Sequence, residues 1–348
     1  MKTNHKTAAK CWWQSAILLA ITALALCASP AFAATTYWTD TTGSWFDCTH
    51  NWSSGCPSCT INAQINNGGT AQVSSPNATA SADDLTLGYG TADSGNVSVP
   101  GVSGGSLSIC GSAFVAYQGT GSMSVTNGGT VGGSVATSGN LSIASLSGQL
   151  WTSNGSATVD GTNSTWTVSS EVDVGGTTSS AGGTGLLKVT NGGTVSAGTS
   201  VHVWNSGTLA GNGTVNVNSG SGTATFDGTL APKGGGTTLT FDGNLQLNST
   251  ATTQCNVTPQ DPSTTPQVSV SAQVSLGGHL SVTMTGDFRS APTRFTLLYA
   301  TSVASMHLKF DSKSLTYPTD QCWYPVITYY SDPSGHYYVY LDRLDNCN

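Results

Sequence analysis

Apolar residues along most of this chain come in pairs two positions apart: Leu85/Leu87, Val97/Val99, Leu107/Ile109, Met123/Val125, Leu141/Ile143, Val172/Val174, Leu187/Val189, Val201/Val203, Val215/Val217 and Leu245/Leu247. A spacing of two puts both side chains of a pair on one face of a strand. Each run is short, and Gly or Asn-Gly punctuates the gaps. The pattern predicts many brief strands, each apolar on one side only. Such strands suit a sandwich or barrel as well as a solenoid, so internal repetition has to choose among them. GTGSMSVTNGGTV at 119–131 returns as GTGLLKVTNGGTV at 183–195, 64 residues on, and a fainter copy, INNGGTAQV, occupies 65–73. Similarity at an offset predicts stacked coils, roughly three per offset at about 20 residues each. The expected fold is therefore an all-β parallel β-helix, with Val, Leu and Ile inside and Gly or Asn at corners that need positive φ. A two-sheet sandwich is the alternative.

The flanks differ from the repeats. Residues 34–75 are rich in Trp and Cys, with Trp38, Trp45 and Trp52 every seven residues, and read as a packed N-terminal cap. Residues 76–249 hold the repeats, and 250–266 form a Thr/Pro-rich segment expected to be a loop. Residues 267–348 carry more aromatics and more charge and read as a C-terminal β cap. Within it, 326–330 and 336–341 look like strands around the turn 332–335. That hairpin would bring Cys322 and Cys347 opposite each other, and a disulfide between them is expected. The first 33 residues have the order of a secretory signal peptide: Lys2, Lys6 and Lys10, an apolar run over 16–27, then Ala31-Phe32-Ala33, with cleavage after Ala33. The apolar run is too short for a comfortable membrane span, and no other stretch is apolar enough for one. Leu24-Ala25-Leu26-Cys27 offers a lipobox cysteine, but Leu26 stands where a small residue belongs.

Charge changes the picture in one respect. Only 8% of the chain is charged, against about 25% for an ordinary domain. Removing the three leader lysines leaves 7 Lys+Arg against 17 Asp+Glu, a net charge of −10. An acidic surface without a basic run argues against nucleic acid or anionic membrane as a partner. Seven cysteines remain after cleavage; disulfides are the default for an exported chain, and the odd count leaves one thiol over.

The opening YWTDTTGSWFDCTHNWSSGCP resembles the start of bacterial autotransporter passengers and related β-strand-repeat surface proteins. LTLGYGTADSGNVSV, GTGSMSVTNGGTV and VDGTNSTWTVSSEVDVGG look like their recurring units, and GTLAPKGGGTTLTFDGNLQL resembles a segment near the passenger's C-terminal end. The resemblance covers most of 37–310. It implies a right-handed parallel β-helix displayed at or released from the cell surface, in adhesion or aggregation. Two features depart from it: the sequence ends at Asn348 without the family's translocator barrel, and cysteines occur where passengers have few.

Candidate sites are sparse. Cys48, His50, Cys56 and Cys59 supply four zinc-type ligands within 12 residues, although a disulfide among these cysteines is the preferred expectation. Glu171 and Asp173 share a strand face and form the one carboxylate pair suited to glycan chemistry, as in a β-helix lyase or hydrolase; the simpler expectation is a pair of solvated carboxylates. His202 and Trp204 flank Val203 and share the face opposite the apolar pair, and with Trp151 and Trp166 they are candidate surfaces for a sugar. No cofactor is expected. The functional expectation is a structural or adhesive protein contacting a glycan, a host surface or its own copies; the alternative is a glycan-active enzyme.

Overall fold

The computed structural model describes residues 33–348 apart from 77, 133–140, 145–146, 149–150, 305–306, 320–322 and 346–348. The chain from Thr35 onward winds into a solenoid of three parallel ladders, so that each full coil contributes one strand to each face. One such coil is Thr184–Thr190, Thr194–Ala197 and Ser200–Val203, after which Gly207–Gly211 starts the next. The first face is an unbroken parallel ladder of 11 strands from Thr42–Ser44 to Ser312–Thr316, which extends beyond 76–249 on both sides.

All ten apolar pairs point inward, and the most exposed of their side chains, Ile109, is 5% accessible. Like stands over like because the ladders are in register. On the third face one interior column runs Ile65, Leu87, Val115, Ile143, Val174, Val203, Phe226 and Leu247. Phe226 and Phe241, from two faces, meet edge-on at 5.9 Å. Trp166 belongs to this interior. It sits between Val131 and Val195 in the second-face ladder and is 2% accessible, so it is core and not a sugar-binding surface. Alternation with Val168 in the strand Thr165–Val168 turns it inward.

The Asn-Gly corners behave as the sequence predicts. Asn127 and Gly128 have φ of 53° and 87°, and Asn191 and Gly192 have 52° and 87°. The N–H of Gly129 donates to Thr126 O, and that of Gly193 to Thr190 O, closing turns with two positive central φ angles. The coil count differs from the expected one. Thr120 pairs with Asn154, and Asn154 with Thr184, so two long coils fill the 64-residue offset. Small antiparallel hairpins inserted after the third face, Ser147–Gly148 with Trp151–Thr152 and Gly176–Thr177 with Ser180–Ala181, lengthen these coils.

The Thr/Pro-rich segment is a loop only in its second half. Thr252–Val257 is a first-face strand paired on both sides, with Thr253, Cys255 and Val257 inward. β-Branched Thr and Val suit a strand, and the prolines begin only at Pro259. At the N-terminal end Trp38, Trp45 and Trp52 are all buried, with Trp52 edge-on to both others at 5.0 and 4.9 Å. Two disulfides secure this region: Cys48–Cys56, and Cys59–Cys110, which ties it to the end of the second-face strand Ser106–Ile109. At the C-terminal end Arg294–Val303 switches to antiparallel pairing with Tyr337–Asp345, which pairs in turn with Trp323–Ser331 across the turn at Asp332. Cys322 and Cys347 lie outside the described residues.

Gly129 tests the stacking directly. A Cβ there would run into the Val99 carbonyl of the preceding coil. Gly129→Ala is expected to lower the unfolding free energy by about 2–3 kcal/mol in urea titrations, as overpacking does.

Candidate functional site

The sulfurs of the N-terminal ligand candidates are consumed by disulfides: Cys48 bonds Cys56, and Cys59 bonds Cys110. They are therefore not zinc thiolates, and His50 instead lies 3.0 Å from the Asp47 carboxylate at the surface. Cys255 is a buried free thiol, pushed up to about 12 by burial and so held as unreactive S–H.

Glu171, Asp173, His202 and Trp204 do come together. The strand Val172–Val174 turns its two valines inward, which sends Asp173 outward and leaves Glu171 at the preceding corner. One coil on, the register places His202 beside Asp173. Trp204 follows at the next corner, stacked on the His202 ring with centroids 3.9 Å apart. Its indole N–H donates to Asp173 Oδ1 at 3.3 Å. The ring leans on Gly176, where a Cβ would collide with it. Another coil on, Asp227 Oδ2 lies 2.8 Å from His202 Nε2. Asn248 and Thr250 donate to Asp227 Oδ1 at 2.9 and 3.2 Å. A polar network thus crosses four coils on the outside of the third face.

The carboxylates are not simply solvated. Asp173 has no accessible surface, and its Oδ2 has no hydrogen-bond partner among the described residues. Burial, with the neighbouring Glu171 charge, raises its carboxyl to about 7 against the one hydrogen bond from Trp204. Asp227 moves the other way: burial opposes its charge, but donation from His202, Asn248 and Thr250 prevails and lowers it. The ligand atoms of Glu171, Asp173 and His202 all lie within 4.8 Å of one another. Such a group can exchange protons or hold a cation. The side chain of Trp151 lies outside what is described.

Two aromatic patches escaped the sequence analysis. Tyr299, Tyr338 and Tyr330 form a cross-strand row on the C-terminal antiparallel sheet, and Tyr340 stacks on Tyr338 at 5.4 Å. Beside them Arg294 lies 4.4 Å over Tyr340 and is held in a two-pronged pair with Asp342 at 2.6 and 3.1 Å. A groove of about 500 Å³ opens along Arg294, Tyr338 and Tyr340. Farther along the solenoid Tyr89 and Tyr117 stack at 5.3 Å, and Tyr89 is half exposed. The alternation in Tyr338-Val339-Tyr340 was the available signal.

Comparison with known proteins finds no matching family model, no matching curated protein and no matching solved structure.

Two expectations follow. Asp173 favours its protonated form in the folded chain, so its stabilising contribution is complete below the unfolded value near pH 4 and is lost as pH rises through about 7. Urea unfolding at pH 5 and pH 8, with chelator present, should give Asp173→Asn an advantage over the parent chain that grows from pH 5 to pH 8 by on the order of 2–3 kcal/mol. Asp227 acts below this window, since its lowered value costs stability only as pH falls through it. Separately, iodoacetamide should label no cysteine of the folded mature chain. In denaturant without reductant it should label Cys255 alone, provided Cys322 and Cys347 are joined; three labelled positions would refute that bridge.

Proposed function

We propose that this chain is an exported structural or adhesive protein, built like an autotransporter passenger, that engages surface glycans or further copies of itself through repetitive hydroxyl-bearing faces. The observation carrying this reading is a register-matched row on the second face: Ser106, Thr130, Thr165, Thr194, Thr214, Thr240 and Ser269, one residue per coil. A second row on the first face links Thr70, Asn96, Ser122 and Ser156 and, past Leu186, continues through Thr208, Thr229 and Thr252. Neighbouring strands lie about 4.8 Å apart, so hydroxyls repeat at that interval along the second-face row, and along the first-face row except at Asn96 and Leu186. Each contact is weak, and affinity accumulates from many at once. The tyrosine row at the C-terminal sheet adds flat apolar faces of the kind sugars stack on. The Cys48–Cys56 and Cys59–Cys110 bridges fit an oxidising compartment, as does the signal-peptide pattern.

A second reading, glycan cleavage, has one observation in its favour. Asp173, raised to about 7 beside Glu171, has the pairing of a proton donor with a second carboxylate. One experiment separates the two. The full chain is expressed in a Gram-negative host, cells are fractionated, and the purified mature chain is incubated with polysaccharides. The expected result is mature chain outside the cytoplasm, cells that clump or adhere, and glycans of unchanged length. Chain retained in the cytoplasm would sink the reading, and so would glycan shortening that Glu171→Gln abolishes.

A further inference from the structure

We infer that Glu171, Asp173 and His202 hold a divalent cation of the zinc class on the outside of the third face. The three residues offer two carboxylate oxygens and one imidazole nitrogen, all mutually within 4.8 Å. Ligands about 2.0–2.2 Å from one tetrahedral ion stand roughly 3.3–3.6 Å apart, so the three side chains would draw in around the ion, with a fourth position left for water. Imidazole in the set favours zinc over calcium or magnesium, which take oxygen.

Proximity of acidic groups alone would carry little. The deciding feature is Asp173. It is completely buried, Trp204 occupies its Oδ1, and its Oδ2 has no hydrogen-bond partner among the described residues. A buried carboxylate oxygen left bare is costly, and a cation between it, Glu171 and His202 removes that cost.

The surroundings have the form of a metal ligand's outer support. With Nε2–H of His202 donating to Asp227 Oδ2 at 2.8 Å, the lone pair of the neutral ring resides on Nδ1. Asp227 is itself fixed by Asn248 and Thr250. A carboxylate on the far nitrogen of a ligating histidine fixes the tautomer and strengthens the donor. Trp204 orients two of the three ligands, by its stack on His202 and its hydrogen bond to Asp173. Asp227 and Trp204 are therefore positioning residues. This inference is independent of the adhesive reading; either can fail without the other.

The test uses the tag-free mature chain, dialysed against chelator and then titrated calorimetrically with zinc chloride, with calcium chloride as the second probe. Metal content after gel filtration is measured alongside. The expected outcome is one equivalent of zinc, with calcium at least 100-fold weaker. Asp173→Asn and Glu171→Gln should each weaken zinc binding at least 100-fold. Asp227→Asn and Trp204→Phe should weaken it about 10–100-fold, the scale of outer-support losses. His50→Gln, at an exposed site elsewhere, should bind as the parent does. Circular dichroism in chelator checks that each variant is folded. No stoichiometric zinc in the parent would overturn the inference, as would zinc binding that both Asp173→Asn and Glu171→Gln retain.

Discussion

The structure depends on parallel register: each strand must hydrogen-bond to the same strand of the coils before and after it. That requirement fixes the interior and the corners together. A side chain at an inward position stands directly over its counterpart, so the column Ile65 to Leu247 admits only shapes that stack. A corner must reverse the chain without moving the next strand out of line. The Asn127-Gly128 and Asn191-Gly192 turns do this with nearly identical backbone angles, two coils apart. The glycines behind them, Gly129 and Gly193, leave room for the carbonyls of Val99 and Val159 in the preceding coil. Local turn chemistry and long-range pairing are thus one constraint here.

Because the interior is defined by alternation, it was the most legible part of the sequence. A pair such as Val201/Val203 shows its inward side without knowledge of any other coil. Coil length was not legible, because insertions at corners leave the apolar pairs unchanged while adding residues between them. The hairpin Gly176–Thr177 with Ser180–Ala181 is such an insertion. This is also why the network around Asp173 could be read only in part. Glu171 with Asp173, and His202 with Trp204, are local patterns; their meeting depends on Asp173 pairing with His202 across a coil of unknown length. Asp227, yet another coil away, carried no local signal at all. Trp166 misled for a related reason: set between threonines, it looks like surface, but its alternation with Val168 directs it inward. In Thr252–Val257 the polar composition concealed the same period of two.

The outer surface divides into two kinds of ground. Much of it is uncharged and repetitive, and there a residue can bond to its counterpart one coil away, as Thr130 does to Ser106. The third face around Asp173 is different: four coils contribute unlike residues, and each contact specifies a particular partner. A repeat protein acquires such a place only by giving up the equivalence of its coils, which sets this patch apart from the repetitive faces beside it.

At the C-terminal end the faces of the solenoid are finished unequally. The antiparallel sheet continues Arg294–Val303 into two further strands, Tyr337–Asp345 and Trp323–Ser331. The first face instead stops at Ser312–Thr316, largely exposed and bonded on one side to His279–Met284. A bare strand edge is a template for another molecule's strand. Here Lys313 and its exposed neighbours occupy it, so a newcomer extending the ladder would have to accommodate an ammonium group within the first added layer. A column made of interchangeable tiers thereby carries a charged stop on the face where fibril growth would otherwise start.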